Sequence, residues 1–385
     1  MKIIDFNHSA FTATEKESLT TRAIKRNKPQ TKNDNTLLKS IKRAVLLKSE
    51  FCEISDNRLT ISNGIAILSQ QIEEDFCAYP KIKELKAVLE KCSSEFAISV
   101  YSENALSVVS GKFRGVVDCN TNEYETSLPD IDQNPQEPDT ASLQVSGGQF
   151  YDALATVVQA ATCAASQPIS FCVFIGPETI IATNGFIEIE AAHGLNFPCV
   201  VVLPAESVKL LLRLKLDLIG IGGSNNSLTF HFENNTWFKC YLTNFAFSNK
   251  AYEFLNNARS NCVYSYDLTN EIYKAIEIIG STGKQNKVIF SKNGVMASEK
   301  KGNSSSYDLE LCEDIFGFSY DSLKVLKKLI GSHFGFGYGA DGEATYLYFE
   351  KRTNEGVLLV RGIIMGIPLE KPSETEQHLD DEVPF

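Results

Sequence analysis

Gly280-Ser-Thr-Gly-Lys-Gln is the stretch of this chain nearest to a phosphate-cradling loop. Position 278 is Ile where such a loop needs glycine, and no Ser or Thr follows the lysine to reach a magnesium ion. Gly335-Phe-Gly-Tyr-Gly alternates as a strand does and opens no helix, so it is not a dinucleotide fingerprint. The five histidines, His8, His193, His231, His333 and His378, are far apart and lack the spacing of a zinc helix; they read as isolated surface or core residues. Asp130/Asp132 and Asp380/Asp381 are spaced like metal-binding carboxylates, but they lie in stretches of linker and tail composition. No Gly-x-Ser-x-Gly elbow and no nucleophile–base–orienter set is visible. The expectation is a non-enzyme with no catalytic residues, metal or cofactor.

What remains is charge. The 385 residues carry 37 Lys+Arg against 48 Asp+Glu, a net −11, which excludes a protein that coats nucleic acid with bulk positive charge. The distribution is uneven. Gly115 to Val208 contains no Lys or Arg, whereas residues 1–48 carry eleven basic side chains and four acidic ones. The ten cysteines are scattered with no Cys-x-x-Cys pair, which points to a reducing cytoplasm. No apolar run reaches the ~18 residues of a membrane span, and the N-terminus is not a signal peptide.

The elements that position these cations recur. Amphipathic helical segments begin at Pro80, Pro204 and Tyr320, a period of roughly 120 residues. Pro80 and Pro204 suit a first helical position, where the missing N–H costs nothing. Ile82, Leu85 and Leu89; Val208, Leu211 and Leu212; and Leu323, Leu326 and Ile330 predict one buried face on each. Every helix leads into alternating strands: Phe96–Val100 with Asn104–Val109, Leu218–Ile221 with Ser227–Phe232, and His333–Tyr338 with Thr345–Phe349. Upstream, Leu59-Thr-Ile-Ser-Asn-Gly answers Ile180-Ile-Ala-Thr-Asn-Gly, and Gly294-Val-Met-Ala-Ser is a weaker third copy. An earlier helix precedes each match, at 149–164 and 268–280; in the first third it is either 13–27 or 36–48. The class is α+β, with two helices per third on one face of antiparallel sheet.

These motifs resemble the bacterial DNA polymerase III beta sliding clamp. The resemblance rests on Ser110-Gly-Lys-Phe-Arg-Gly-Val-Val running to Ser127-Leu-Pro-Asp-Ile-Asp, on Ile181-Ala-Thr-Asn-Gly-Phe-Ile, and on Ile363-Ile-Met-Gly-Ile-Pro-Leu. It implies a DNA clamp fold of three domains, 1–132 (with about twenty extra residues near its start), 143–257 and 258–369. A linker at 133–142 joins the first two, Leu255 to Ser260 marks the second boundary, and a disordered acidic tail fills 370–385. It implies duplex DNA held without base readout by Lys39, Lys42, Arg43, Lys81, Lys83, Lys86, Lys209, Arg213, Lys215, Lys324, Lys327 and Lys328. The helix at 149–164 has no basic residue, so its share of the inner surface should be neutral. A partner-peptide cleft for DNA polymerase and other proteins would comprise Ile169, Thr183, Gly185, Phe186, Ile187, Ile363, Met365, Gly366 and Ile367. Phe186 and Ile187 stand where the family has His and Arg, so the cleft should be more apolar. Head-to-tail closure of a homodimer would use Val116 and Val117 against Ile278 and Ile279. A clamp loader is a further implied partner, and the divergence suggests a phage-type clamp in an infected bacterial cytoplasm.

Six acids precede Val383-Pro384-Phe385 in the last sixteen residues. This end resembles the C-terminal tip of bacterial single-stranded DNA-binding proteins. A terminal Phe and its carboxylate, steered by Asp380, Asp381 and Glu382, would dock on proteins that recognise such tips, or into the chain's own cleft. Two rivals follow. Phe230/Phe232 and Tyr346/Tyr348 could stack bases in a single-stranded DNA-binding protein, or a clamp-fold decoy could sequester host replication factors.

Overall fold

The computed structural model describes residues 36–93, 95–102, 104–120, 137–145, 148–161, 171–245, 249–282, 286–297, 305–339, 342 and 344–369. One order of elements recurs along them. The first run is α1 (Thr36–Ala44) with a 3-10 turn at Val45–Leu47, β1 (Glu53–Ser55), β2 (Arg58–Ser62), β3 (Ala66–Gln71), α2 (Ile82–Leu89), β4 (Ala97–Ser102), β5 (Ala105–Ser110) and β6 (Phe113–Asp118). The second is β7 (Ala141–Gln144), α3 (Gln149–Val157), β8 (Cys172–Ile175), β9 (Thr179–Thr183), β10 (Ile187–Ala192), β11 (Val201–Pro204), α4 (Ala205–Leu214), β12 (Leu218–Gly223), β13 (Ser227–Phe232) and β14 (Thr236–Tyr241). A helix, α5 (Asn249–Ala258), then precedes the third run. That run is β15 (Cys262–Asp267), α6 (Asn270–Thr282), β16 (Lys287–Ser291), β17 (Gly294–Ala297), β18 (Ser306–Tyr307), β19 (Phe316–Ser319), α7 (Tyr320–Leu323), β20 (His333–Tyr338), β21 (Thr345–Arg352) and β22 (Leu358–Met365). Mixed helix and antiparallel sheet is the class the sequence predicted.

The helices form where apolar spacing gives them a face to bury. Ile82, Leu85 and Leu89 of α2 are wholly buried, each contributing roughly 2 kcal/mol of transfer free energy. Phe150, Leu154 and Val157 do the same for α3, as do Ile272, Ile276 and Ile279 for α6. Of the two predicted positions for the first helix, 36–48 is where α1 lies, and 13–27 falls outside the described residues. The third amphipathic segment is not one α-helix. Four α-helical residues give way to a 3-10 helix at Lys324–Leu329, which buries Val325, Leu326 and Leu329 and leaves Ile330 half-buried.

The repeated Asn-Gly pairs build the same turn twice. Asn63 Oδ1 accepts the N–H groups of Ile65 and Ala66, and Asn184 Oδ1 accepts those of Phe186 and Ile187. Gly64 and Gly185 follow at φ +85° and +84°, a left-handed conformation that glycine adopts without a Cβ clash. The third copy closes more tightly. Gly294 has φ +109°, and a Cβ there would collide with the Tyr307 carbonyl oxygen.

The chain divides into two compact units, Met1–Gly147 with Glu206–Asn244, and Gly148–Ala205 with Phe245–Phe385. The first holds a seven-stranded sheet, β1-β2-β3-β14-β13-β12-β7, and a three-stranded sheet, β4-β5-β6. Here α1 packs on α2, and α2 on β6. The strand pairing that unites the long sheet is β3 with β14, from Trp237↔Ser69 to Cys240↔Ala66. Arg58 reinforces it, donating to Ser69 Oγ at 2.8 Å and to the Asn235 carbonyl at 2.8 Å while its guanidinium lies 5.8 Å from the Trp237 ring centre.

The second unit holds an eight-stranded sheet, β11-β8-β9-β10-β22-β21-β20-β15, and a four-stranded sheet, β18-β17-β16-β19. Its long sheet is joined where β10 meets β22, from Ile187↔Ile364 to Ala191↔Val360. Helix α3 packs on β9 and β10, and α6 on β16 and β17. The segment read from sequence as a boundary, Leu255 to Ser260, contains the end of α5, between the second and third runs, with Leu255 and Ala258 in the core. Among the described residues no helix is long and apolar enough to cross a membrane, and no group of three or more His, Cys, Asp or Glu is placed to hold a metal ion.

Candidate nucleic-acid and partner interfaces

The cations predicted to meet phosphate sort by their partners. On α1, Lys39 and Lys42 are exposed and Arg43 is half-buried; Lys42 reaches Glu90 at 3.7 Å. On α2, Lys81 bridges Glu84 at 3.6 Å and Asp118 at 3.5 Å, and Lys86 pairs with Glu90 at 3.8 Å. Glu84 chiefly, and Asp118 after it, raise the Lys81 ammonium above its ordinary pKa. Lys324 pairs with Asp321 and lies 4.7 Å from the Tyr320 ring centre; that hydrogen bond raises the lysine and lowers the aspartate. Lys327 faces Glu277 on α6 at 3.5 Å, and Lys328 Nζ donates to the Ala155 carbonyl of α3 at 3.4 Å.

A second group has no acidic partner within ion-pair distance among the described residues: Lys83 on α2, and Lys209 and Arg213 one turn apart on α4. Lys215 follows α4 at φ +51°, exposed. Sequence reading missed Lys274, exposed on α6 three residues before Glu277. In the third repeat it drew cations only from the second helix, although the helical spacing of 268–280 was enough to place Lys274 outward. Helix α3 carries no cation, as its sequence requires.

The proposed peptide-docking residues converge within the second unit. The β9–β10 turn brings Thr183, Gly185 and Phe186 beside the end of β22, where Met365 N–H donates to the Phe186 carbonyl at 2.7 Å. Gly366 N–H then donates to the Thr345 carbonyl at 2.7 Å, and a Cβ on Gly366 would collide with Thr345 Oγ1. Phe186 is 62% exposed, and Met365, Gly366 and Ile367 are half-exposed. Ile187 and Ile363 are not surface groups: they are 6% and 1% exposed, so they support the site from beneath. Ile169 and the docking tail Asp380–Phe385 lie outside the described residues.

The four subunit-contact candidates divide in the same way. Val116 and Ile278 are 60% and 40% exposed, whereas Val117 and Ile279 point inward at 0% and 1%. Alternation along β6 turns Val117 to the face opposite Val116, and on α6 Ile279 falls on the buried stripe with Ile272, Ala275 and Ile276 while Ile278 lies at its edge. The aromatic pairs are corrected outright: Phe230, Phe232, Tyr346 and Tyr348 are buried core residues and present no stacking surface. Ser265 Oγ lies 2.5 Å from His333 Nε2, and His333 Nδ1 lies 3.5 Å from Asp267. The order suggests a nucleophilic triad, but the Asp267 side chain is 87% exposed, and water screens the charge that would hold the imidazole.

Three recurring helix-and-strand runs, with cations on the second helix of each, define the class of architecture: it is the DNA sliding clamp fold. The DNA polymerase sliding clamp of Bacillus subtilis superimposes with a TM-score of 0.70 at 15% identity, covering 88% of this chain and 98% of that one. The DNA polymerase III subunit beta of Pseudomonas aeruginosa gives 0.67 at 13%, covering 86% and 98%. The Helicobacter pylori beta clamp, solved bound to a DNA ligase peptide, gives 0.65 at 12%, covering 88% and 99%. Sequence comparison matches no protein-family model and no curated protein. The likeness is one of fold.

Proposed function

We propose that this chain is a DNA sliding clamp, a processivity factor that encircles duplex DNA and tethers a polymerase to it. Two copies, each contributing the repeated domains 1–132, 143–257 and 258–369, would close the ring. The observation that carries this reading is the clamp fold extending over 88% of the chain, with outward-facing cations on the second helix of each run. Such cations attract phosphate without reading sequence, which sliding requires. Enclosure replaces affinity with topology and makes each polymerase rebinding intramolecular. Partners would dock through Phe186, Met365 and Ile367, a role consistent with the peptide bound by the Helicobacter pylori clamp. The acidic tail would add a second docking element for proteins that bind such tips.

The test is retention on nicked circular against linear duplex DNA, with solution mass. Retention on circles, loss from linear ends and a mass twice the 42.6 kDa of one chain are expected. A monomer that prefers single strands, or a protein that stays on neither duplex, would overturn the reading; the latter outcome would favour a decoy.

A further inference from the structure

Five lysines on neighbouring elements of the second unit are joined by a continuous path of contacts: Lys274 on α6, Lys287 on β16, and Lys324, Lys327 and Lys328 on the 3-10 helix. Lys287 adjoins Asn286, whose Nδ2 donates to Asp321 Oδ2 at 2.8 Å, and Asp321 pairs with Lys324. The Tyr320 ring, 4.7 Å from Lys324 Nζ, packs so closely on Gly280 of α6 that a Cβ there would collide with it. Lys327 faces Glu277, one turn beyond Lys274. Against these five, α6, β16, α7 and the 3-10 helix carry three acids, Glu271, Glu277 and Asp321, so a positive excess remains. Lys274, Lys324, Lys327 and Lys328 are exposed, and exposed ion pairs exchange partners at little cost.

The described chain ends beside this path. Ile367 N–H donates to the Gly317 carbonyl at 2.8 Å, Leu369 fills the space where Gly317 has no Cβ, and Lys287 Nζ donates to the Pro368 carbonyl at 3.2 Å. Residues 370–385 lie outside the described ones, but their charge is fixed by composition: Glu370, Glu374, Glu376, Asp380, Asp381 and Glu382 against Lys371. The residues from 370 to 382 span at most about 45 Å, whereas α6 is about 20 Å long, so the acids have length enough to run along it. Tethered beside the lysines, they are held at an effective concentration on the order of millimolar, which suffices for pairs too weak to form between separate molecules.

We propose that the acidic residues of 370–382 occupy this lysine face when DNA is absent, so that phosphate must displace the chain's own carboxylates there. The contact rests on charge and reach; the clamp reading enters only in naming duplex DNA as the competing anion. Two measurements on the full chain test it. A carbodiimide, which joins a carboxylate directly to an amine, should couple these acids to Lys274, Lys324, Lys327 or Lys328 in peptide maps at about 50 mM salt. That coupling should exceed coupling to Lys83 or Lys209 at least tenfold and fade at about 0.5 M salt. In the second measurement, Glu370→Gln/Glu374→Gln/Glu376→Gln/Asp380→Asn/Asp381→Asn/Glu382→Gln should bind a fluorescein-labelled duplex at least tenfold more tightly than the wild type at low salt. The same six changes in a Lys324→Ala/Lys327→Ala/Lys328→Ala background should gain less than threefold, because the lysines they would uncover are gone. This cycle separates a contact from a change in net charge. Coupling of the acids to lysines before Thr36, or to none, overturns the proposal, as does an equal gain in both backgrounds. If no form of the protein binds duplex DNA, the clamp reading fails and the coupling pattern alone decides this one.

Discussion

Asp139 and Lys239 show how a single residue anchors the stretch that composition marks as a linker. Asp139 Oδ2 accepts hydrogen bonds from Ser227 and Thr229 at 2.8 Å each, and its carbonyl meets His231 Nε2 at 2.7 Å. Lys239, 2% exposed, lies 4.0 Å from the same carboxylate and donates to the Glu137 carbonyl at 3.0 Å. Asp139→Ala should cost about 1–3 kcal/mol in urea denaturation, because it removes the acceptor of the Ser227 and Thr229 hydroxyls inside the sheet. Glu188 is the opposite case. It shares a face of β10 with Glu190, its Oε1 has no hydrogen-bond partner among the described residues, and burial pushes its carboxyl up to about 7. The folded state thus holds the proton more tightly than the unfolded chain. The contribution of Glu188 to stability should be greatest below about pH 4.5, fall as pH rises, and level off above about pH 7. Glu188→Gln should remove this slope and add about 3 kcal/mol at pH 8, checked by denaturant melts across pH. Neither site was legible beforehand. Acid-rich composition and strand alternation reveal nothing of which carboxylate the sheet will bury, whereas Asn63-Gly64 and Asn184-Gly185 were legible because the turn is made by those residues alone.

At the scale of elements, local periodicity carried the helices and most strands. The β13 range, Ser227–Phe232, is the one alternation predicted. Helix α5 escaped because its apolar signal is one turn, Phe254, Leu255 and Ala258, among asparagines; the sheet supplies the rest. The cations were legible as outward-facing, but their pairing was not, and pairing ranks them for DNA binding. Lys81, Lys86, Lys324 and Lys327 already face carboxylates, which phosphate must displace. Lys83, Lys209 and Arg213 face none among the described residues and should carry more of the affinity. Removing Lys209 and Arg213 by alanine should lower the salt slope of DNA binding by about 2, at about 0.9 for each phosphate no longer neutralised. Lys81→Ala should change it less, since Glu84 and Asp118 already hold that ammonium. Equal effects would mean that the ion pairs open on DNA without cost.

At the scale of the molecule, the roughly 120-residue period was visible, but the sheet joins were not. β3 pairs with β14 and β10 with β22, so the strand pairings bridge successive runs and divide the middle one between two units. Edge pairing depends on strands far apart in sequence, and no local pattern specifies it. The same alternation that builds those sheets bears on ring closure. A subunit interface needs side chains that leave their own core, and of the four candidates only Val116 and Ile278 do so. A charge at either should oppose association without disturbing packing, because each is already in water in the single chain. Val116→Glu and Ile278→Glu should therefore halve the solution mass to that of one 42.6 kDa chain, leave the melting temperature of the subunit near its wild-type value, and abolish retention on nicked circles. Val117→Ala and Ile279→Ala should do the reverse, costing about 2–4 kcal/mol in subunit stability through a core cavity while changing association little at low temperature. A dimer that survives both charged substitutions, by sedimentation, would mean that closure uses another surface.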